Sequence, residues 1–525
     1  MFSLRLFSNP SGIFLLVSIL VLNGCVSLPD NSERSTSYVY TDTSDSKLAQ
    51  GYQEASIPYP NQSAYLLLDD GLDAFVGRAL LAESAKYSID VQYYMLHGDE
   101  VGMLFVDQLR RAADRGVRIR LLLDDIDEGH RDFGAAIFDS HPNIEVRLFN
   151  PFGRNVPRIL QYVTGFGKQT RRAHNKSFTV DNTATIVGGR NIGNEYFSAD
   201  PTLEFQDLDV VVFGPLAQDV SASFDQYWNS PLSYPVTELI DIQPTPQEIL
   251  QRGKEFDEYI KQHQNSPYIQ RLHDSELANS YRANTINYHW GTGSVYADRP
   301  EKLTQDTDDS EHYMINDLAP YMAKAEKELI ILSPYFVPGN GGVEFLTGLA
   351  KKGVRVRILT NSLSSTDVSV VHAGYVRYRE ALLRGGVELY ELNKKTTKKE
   401  RKEKKKGRIG SSKSSLHAKA FVVDRNDVFI GSLNFDARSI IQNTEIGVVF
   451  QSPEIASEIS SNFDQHIDRV AFQLSLEKNS DGSESIRWHG VVDGEPTTYS
   501  TEPFTSFWRR LGVGFMRFMP IESQI

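Results

Sequence analysis

Cysteine is all but missing from this 525-residue chain: Cys25 is the only one, so no intrachain disulfide can form. Basic excess is missing as well. Lysine and arginine total 55 against 68 aspartates and glutamates, a formal net charge of −13. A generic nucleic-acid binder would carry a broad basic surface, so this balance argues against one. Beyond the N-terminus no stretch is long and apolar enough to span a membrane. What remains is a globular composition, 40% hydrophobic, 11% aromatic and 23% charged, on a chain long enough for two domains or one duplicated domain.

The single cysteine is informative by its place. Arg5 precedes an apolar core from about Ile13 to Leu22, followed by Leu22-Asn23-Gly24-Cys25. A basic residue, a short apolar run and a small residue before the cut are the layout of a secretory signal. Cleavage ahead of a cysteine resembles the bacterial lipoprotein pattern. The expectation is a signal peptide over 1–24, lipid attachment at Cys25 and a flexible tether over 25–60, rich in Ser, Thr, Asp, Tyr and Pro. The protein would then sit in a bacterial cell envelope, held at a membrane.

Two stretches organise the rest. HNKSFTVDNTATIVGGRN (174–191) reads H-x-K-x4-D-x6-G-G-x-N, and HAKAFVVDRNDVFIGSLN (417–434) reads H-x-K-x4-D-x6-G-S-x-N. Such a pattern arises by chance about once in 10^5 histidines, and the chain has twelve. Their surroundings repeat too. Segments 101–124 and 341–360 each read as helix, glycine stop, strand, and NIEVRLFN (143–150) is echoed by GGVELYELN (385–393). Both motif histidines and the pair Asn150 and Asn393 are 243 residues apart, which points to internal duplication. Alternating strands and helices predict an α/β protein with two mixed, largely parallel sheets flanked by helices. The expected lobes are 61–230, with its motif region at 168–195, and 313–475, with its motif region at 411–438. Between them 231–312 reads as linker and helices, with 298–312 exposed, and 476–525 reads as a tail.

Two further segments stand apart. Residues 394–413 hold nine Lys, two Arg and two Glu, a local +9. A solvated loop explains this, as does attraction to anionic headgroups, and a nuclease would also want charge there. In 504–520, Phe504, Trp508, Leu511, Phe515, Phe518 and Met519 share one helical face, with Arg509, Arg510 and Arg517 elsewhere. That pattern suits an interfacial helix, and equally a packed terminal helix with surface arginines.

The motif chemistry follows from residue type. Histidine is both a nucleophile and an acid/base near neutral pH. A Lys two residues along a strand projects to the same face, where its ammonium can bind a phosphoryl oxygen. The terminal Asn adds a hydrogen-bond donor. Two facing units would place His174, Lys176 and Asn191 with His417, Lys419 and Asn434 around one phosphate, with no metal or cofactor required. Asp181 and Asp424 complete the motifs at a strand-ending turn, where a structural role competes with a catalytic one. Each histidine needs a carboxylate to hold one ring nitrogen. Glu445 on NTEIGVVF and Asp207 on FQDLDVVVF, with Asp209 behind it, are the candidates.

The paired motifs resemble the phospholipase D superfamily. DVQYYM (90–95), VRIRLLLDD, HPNIEVRLFNPF, RRAHNKSFTVD, VGGRNIG, ILTNSL, VVHAGYVRYR, SLHAKAFVVD, GSLNFDARS and TSFW are similar to the bacterial cardiolipin synthases of the C type, over most of 60–525. The resemblance implies a duplicated phospholipase D-like fold, with a pseudo-two-fold axis and the active site between the lobes. It implies a phosphatidyl group passing from a donor phospholipid to His174, with His417 as acid and base, and then to phosphatidylglycerol. Phosphatidylethanolamine is the donor associated with this type. The alternative is a phospholipase D hydrolase releasing phosphatidic acid; a nuclease fits the acidic body less well. His372 also fits the family pattern and could line the site or be packed. Partners would be phospholipids and a membrane surface, without nucleic acid.

Overall fold

The computed structural model describes residues 28–126, 132–164, 170–200, 204–240, 243–306, 310, 313–394 and 414–517. The signal segment with Cys25, the lysine-rich stretch 395–413, and Phe518 and Met519 lie outside the described residues.

The first half contributes strands β1 (Ser63–Leu68), β2 (Ser88–Tyr93), β3 (Arg118–Asp124), β4 (Ile144–Phe149), β5 (Ser177–Val180), β6 (Ala184–Gly188), β7 (Glu204–Gln206), β8 (Asp209–Phe213), β9 (Ser233–Pro235) and β10 (His289–Gly291). All but β7 form one sheet in the order β10-β1-β8-β6-β5-β2-β3-β4-β9. The second half contributes β11 (Gly293–Ala297), β12 (Glu328–Leu332), β13 (Arg355–Thr360), β14 (Glu388–Leu392), β15 (Ser414–Leu416), β16 (Ala420–Val423), β17 (Asp427–Gly431), β18 (Ile446–Gln451), β19 (Ala471–Lys478), β20 (Glu484–Val492) and β21 (Glu495–Tyr499). Their sheet runs β11-β18-β17-β16-β12-β13-β14-β19-β20-β21. The run β8-β6-β5-β2-β3-β4 in one sheet is thus repeated as β18-β17-β16-β12-β13-β14 in the other, which is the duplication in three dimensions.

The sheets are mixed, but the parallel share is smaller than expected. Within them only β2–β3–β4 and β12–β13–β14 pair in parallel. The reason is the motif itself. Each motif is a hairpin, β5–β6 or β16–β17, closed by a three-residue turn, and a hairpin pairs antiparallel. The turns open with Asp181 and Asn182 (φ 49° and 51°) and with Asp424 and Arg425 (φ 51° and 55°), all in the left-handed region. Asp and Asn tolerate that region better than most residues.

Helices cover the sheets: α1 (Lys47–Ala55), α2 (Gly71–Ser84), α3 (Glu100–Asp114), α4 (Arg158–Thr164), α5 (Pro215–Trp228), α6 (Ser369–Val376), α7 (Pro453–Val470) and α8 (Phe507–Met516) are those used below. Asp70 and Asp99 cap α2 and α3 by accepting from Leu72 N at 2.7 Å and Gly102 N at 3.0 Å. Each lobe has its own apolar core under its helices. A third core joins them: Tyr65, Val210 and Val212 of the first sheet pack with Ala420, Val422, Ile430, Val448 and Phe450 of the second. Tyr65 stacks on Phe450 at 4.3 Å. Among the described residues no helix is long and apolar enough to cross a membrane.

Three expected boundaries change. The segment expected as a tether is packed from Asn31 onward. Its backbone carbonyls at Ser35 and Ser37 accept from the buried guanidiniums of Arg147 (2.8 Å) and Arg120 (2.9 Å), and α1 follows. Polar composition hid this, because the segment satisfies buried arginines rather than filling a core. The linker expected to be exposed at 298–312 begins as a buried plug, with Asp298 and Lys302 paired at 2.8 Å and Leu303 buried. The second lobe does not end at 475: β19–β21 extend its sheet to Tyr499, and Trp488 joins its core.

Candidate active site

His174 and His417 stand just ahead of β5 and β16, whose first residues lie against the C-terminal ends of β2 and β12. The peptide before each histidine is clamped from the neighbouring parallel strand. Asp124, ending β3, accepts from Ala173 N at 2.9 Å, while Asn361, just after β13, accepts from Leu416 N at 3.0 Å. These are the equivalent positions of LLLDD and ILTNS.

The lobes then exchange support. His174 N donates to Thr444 O at 2.8 Å, and His417 N donates to Gln206 O at 2.8 Å. The parallel pair β7–β15 carries the second exchange. The acids cross in the same way. His174 Nδ1 lies 2.8 Å from Glu445 of the second lobe, and His417 Nδ1 lies 2.6 Å from Asp207 of the first. Sequence proximity would have paired each acid with the motif of its own lobe. Asp209 does not join: it holds Arg78 at 2.9 Å, both side chains buried.

The two acids are seated differently. A Cβ on Gly189 would lie 2.2 Å from Asp207 Oδ1, so the first motif needs glycine there. At the matching place the second motif has Ser432, whose hydroxyl donates to Glu445 at 2.5 Å. The single departure between the two motifs, GG against GS, is therefore the difference between making room for one acid and hydrogen bonding the other. Behind Glu445, the Asp298 carboxylate accepts from Glu445 N at 3.0 Å while holding Lys302.

Lys176 and Lys419 are both 1% exposed. Lys176 Nζ donates to His174 O at 2.8 Å, and Lys419 Nζ donates to His417 O and lies 2.9 Å from His417 Nδ1. Burial pushes Lys176 down to about 7 and lowers Lys419 as well. Burial, with Lys176 and Lys419 adding to it, holds His174 well below its ordinary value. Burial and Lys419 lower His417 despite Asp207. Burial pushes Glu445 up to about 7, whereas for Asp207 the charges of His417 and Lys419 outweigh burial and lower it. An anion bound between the two buried lysines and the two imidazoles would favour their charged forms.

Asn191 donates to the Tyr196 hydroxyl at 2.9 Å and Asn434 to Ser439 at 3.3 Å, while both amide oxygens are buried without a hydrogen bond. Sequence reading missed Tyr94 and Tyr196, whose rings stand edge-on to His174 at 4.9 Å and His417 at 5.1 Å. Tyr94 lies in YYM at the end of β2, and that position was the available signal. Two candidates stand apart from the constellation. Asp181 accepts from the backbone N–H groups of Lys86, Tyr87 and Ser88, and Asp424 from those of Glu326, Lys327 and Glu328. Both act at the far ends of β5 and β16 from the histidines, tying the motif turn to the strand beside it. Recurrence in the motif leaves a catalytic role competing with a structural one; their carboxylates are engaged in backbone capping. His372 is likewise elsewhere, buried between Arg379 at 2.7 Å and Glu502 at 3.3 Å.

Among the described residues one group could gather a metal: ligand atoms of His97, Asp99 and Glu195 lie within 4.8 Å of one another. The Asp99 carboxylate is already accepting from Gly102 N and Asn194 N, which explains its place without an ion.

A family model described as "Cardiolipin synthase, PLD-like domain" matches the chain twice, at 80–228 and 318–467. "Cardiolipin synthase C" of Escherichia coli is 39% identical over 91% of this chain and 99% of its own length. An uncharacterized protein of Helicobacter pylori is 33% identical over 97% and 99%. A "Probable cardiolipin synthase YwiE" of Bacillus subtilis is 22% identical over 83% of this chain and 70% of its own. Among solved structures, a phosphatidylserine synthase of Haemophilus influenzae shares the fold, with TM-score 0.53 and 14% identity over 80% of this chain and 92% of that one.

Proposed function

The chain belongs to the phospholipase D superfamily, as an enzyme of the cardiolipin synthase type with two phospholipase D-like domains, and from this we propose that it transfers a phosphatidyl group to phosphatidylglycerol through a phosphohistidine. The observation that supports this most is the crossed pair of His–carboxylate contacts enclosing two buried lysines.

His174 is the nucleophile in this reading. Neutral at pH 7, it donates Nδ1–H to Glu445 and presents the Nε2 lone pair to the donor phosphorus. As the phosphorus–nitrogen bond forms, the bond from phosphorus to the headgroup alcohol breaks. His417 gives that alcohol its proton. A bound phosphodiester anion would raise His417 by opposing Lys176 and Lys419, so the acid form is favoured when substrate is present. The headgroup alcohol leaves, a hydroxyl of phosphatidylglycerol takes its place and loses its proton to His417, and the oxygen displaces His174. Lys176 and Lys419 hold the nonbridging oxygens throughout. Asn191 and Asn434 join them once their amides turn: Asn191 would then accept from Tyr196, and each NH2 would face the phosphoryl group.

Hydrolysis by water is the second reading, and it uses the same residues. It is the less favoured reading because the matching family model and the 39%-identical relative are both described as cardiolipin synthases. The test gives purified protein phosphatidylglycerol with and without phosphatidylethanolamine and resolves the products by mass. Cardiolipin, lost in His174→Ala and His417→Ala, is expected. Phosphatidic acid as the sole product overturns transfer, and release of ethanolamine identifies the donor. Cys25 as a lipid attachment point, with the protein held at a bacterial membrane, is part of the same proposal. A mass unchanged by lipoprotein signal peptidase inhibition would refute it.

A further inference from the structure

Helix α8 is fastened to the body by one face only. Val513 is buried with Leu363 and Ala373, and Met516 packs beside them. The Arg509 guanidinium donates to Thr366 O at 3.3 Å and Ser369 Oγ at 3.1 Å, and Ser506 caps the helix by accepting from Arg509 N. The other face carries Phe507, Trp508, Leu511 and Phe515, between 54% and 76% exposed. Four large apolar side chains on a ten-residue helix are not what a surface turned only to water carries.

The place of the helix says what covers it. It rests on α6, which follows the loop 361–368 leaving the C-terminal end of β13. In that loop Asn361 holds the peptide before His417, and Asp367 accepts from the Tyr335 hydroxyl at 2.9 and 2.8 Å. This is the end of the sheets at which both histidines stand. In the first lobe α4 follows β4 at the corresponding end, and there Ile159 and Leu160 are 71% and 49% exposed. Apolar points in both lobes at the histidine end suit an extended surface better than a partner's pocket. From Phe507 to Arg517 the sequence has no acid, and beside the body-facing Arg509 it has Arg510 and Arg517, complementary to anionic headgroups.

We propose that α8 is the surface by which the catalytic body docks on a phospholipid bilayer, its aromatic face entering the interfacial zone so that the site opens onto the headgroup layer. The proposal rests on the phosphatidyltransferase reading for its substrate. It goes beyond that reading in assigning the docking element, and it separates docking from any anchor at the N-terminus.

The test uses the full-length protein and vesicles of phosphatidylglycerol and phosphatidylethanolamine whose acyl chains carry bromine. Trp508 is the reporter, its share of the fluorescence defined by the Trp508→Phe variant. Bromine should quench that share about twofold or more, with no loss in Trp508→Phe beyond that of the other tryptophans. In parallel, the double variant Trp508→Ser, Phe515→Ser should lose about tenfold or more of its rate on vesicles, while staying within about twofold on monomeric short-chain phosphatidylglycerol. An unquenched Trp508, or equal losses on vesicles and monomers, overturns the proposal. So does shielding of Trp508 that grows with protein concentration without lipid, which would assign the face to a second copy. A parent protein whose Trp508 is quenched but which transfers nothing from either substrate overturns the functional reading and leaves docking standing.

Discussion

Converting Glu445 to glutamine should make the protein more stable and nearly inactive at once, and the two effects have one origin. The carboxylate is fully buried, and burial pushes it from 4.5 up to about 7. That displacement corresponds to about 3 kcal/mol, at most, held against the folded state when the group is ionised. The sign is opposite to the usual carboxylate case. Between pH 4.5 and 7 the folded protein binds the proton that the unfolded chain has released, so the stability contribution of this group falls as pH rises and is fully unfavourable above 7. Glutamine has no such titration. Against the gain stands a weaker hydrogen bond to His174 Nδ1, about 1 kcal/mol. The Glu445→Gln variant should therefore match its parent at pH 5 and exceed it at pH 8 by about 2 kcal/mol, a rise of roughly 2–4 °C in the thermal midpoint. Its transfer rate should fall by about 10^3 to 10^4, because an amide can hold the wrong tautomer and no longer stabilises the imidazole's cationic form. Scanning calorimetry at the two pH values, with a product assay on the same preparation, reads both. A stability difference that does not grow with pH, or activity within about threefold of the parent, refutes the reasoning.

Three further outcomes follow from the same geometry. Gly189→Ser places an atom against Asp207 and should lower the rate by about 100-fold, whereas Ser432→Gly removes only the hydrogen bond to Glu445 and should lower it by about tenfold; the product assay decides, and the reverse order would sink the assignment of these two positions. Asp181→Ala abandons three backbone donors and should destabilise by about 3 kcal/mol, yet the folded fraction, counted by active-site labelling, should keep its turnover within about threefold; a turnover loss equal to that of Lys176→Ala would restore Asp181 to the chemistry. The kcat/KM profile should be a narrow bell about 7, declining on the alkaline side where Lys176 sheds its proton and on the acid side where Glu445 gains one; a profile still rising at pH 9, or flat down to pH 5, excludes this.

How far the sequence could be read depended on what each residue interacts with. His174, Lys176 and Asn191 announce themselves because the chemistry needs those types at a fixed spacing along one hairpin, and local spacing is what a sequence displays. The repeat of helix, glycine and strand placed the lobes for the same reason: Gly116 and Gly353 both sit at φ 94° after corresponding helices. Asp298 and Lys302 were invisible as partners of Glu445, because a polar segment among acids reads as solvent-exposed until its fold turns it inward. The strap at Ser35 and Ser37 was hidden likewise, since its contribution is made by carbonyl oxygens that every residue possesses. The motif aspartates were legible but misleading. A recurring Asp beside a recurring His suggests shared chemistry, and only the path of β5 shows that four strand residues separate them.

The crossing of the acids carries the largest consequence for how the duplicated chain works. If Glu445 served His417 and Asp207 served His174, each lobe would own a complete imidazole–carboxylate pair, and the lobes would need only to approach. Instead the groups that hydrogen bond to His174 itself, the Thr444 carbonyl at its N–H and the Glu445 carboxylate at its ring, come from the second lobe, and Gln206 and Asp207 of the first lobe do the same for His417. A histidine is thus oriented only in the assembled pair, and a separation of the lobes removes orientation from both at once. That dependence explains why the seam is built as a core: Tyr65, Val212, Val422 and Phe450 bury apolar surface between the sheets, and the Asp298–Lys302 plug fixes Glu445 from behind. It also frees the two halves to diverge. Because each acid sits in a pocket made by the other lobe's motif partner and its own, Gly189 and Ser432 could come to differ, and the two acids differ as well: His417 and Lys419 hold Asp207 below its ordinary value, while burial pushes Glu445 up to about 7. Two halves of common origin can then take the unlike roles proposed for them, nucleophile and acid, within a frame that remains two-fold.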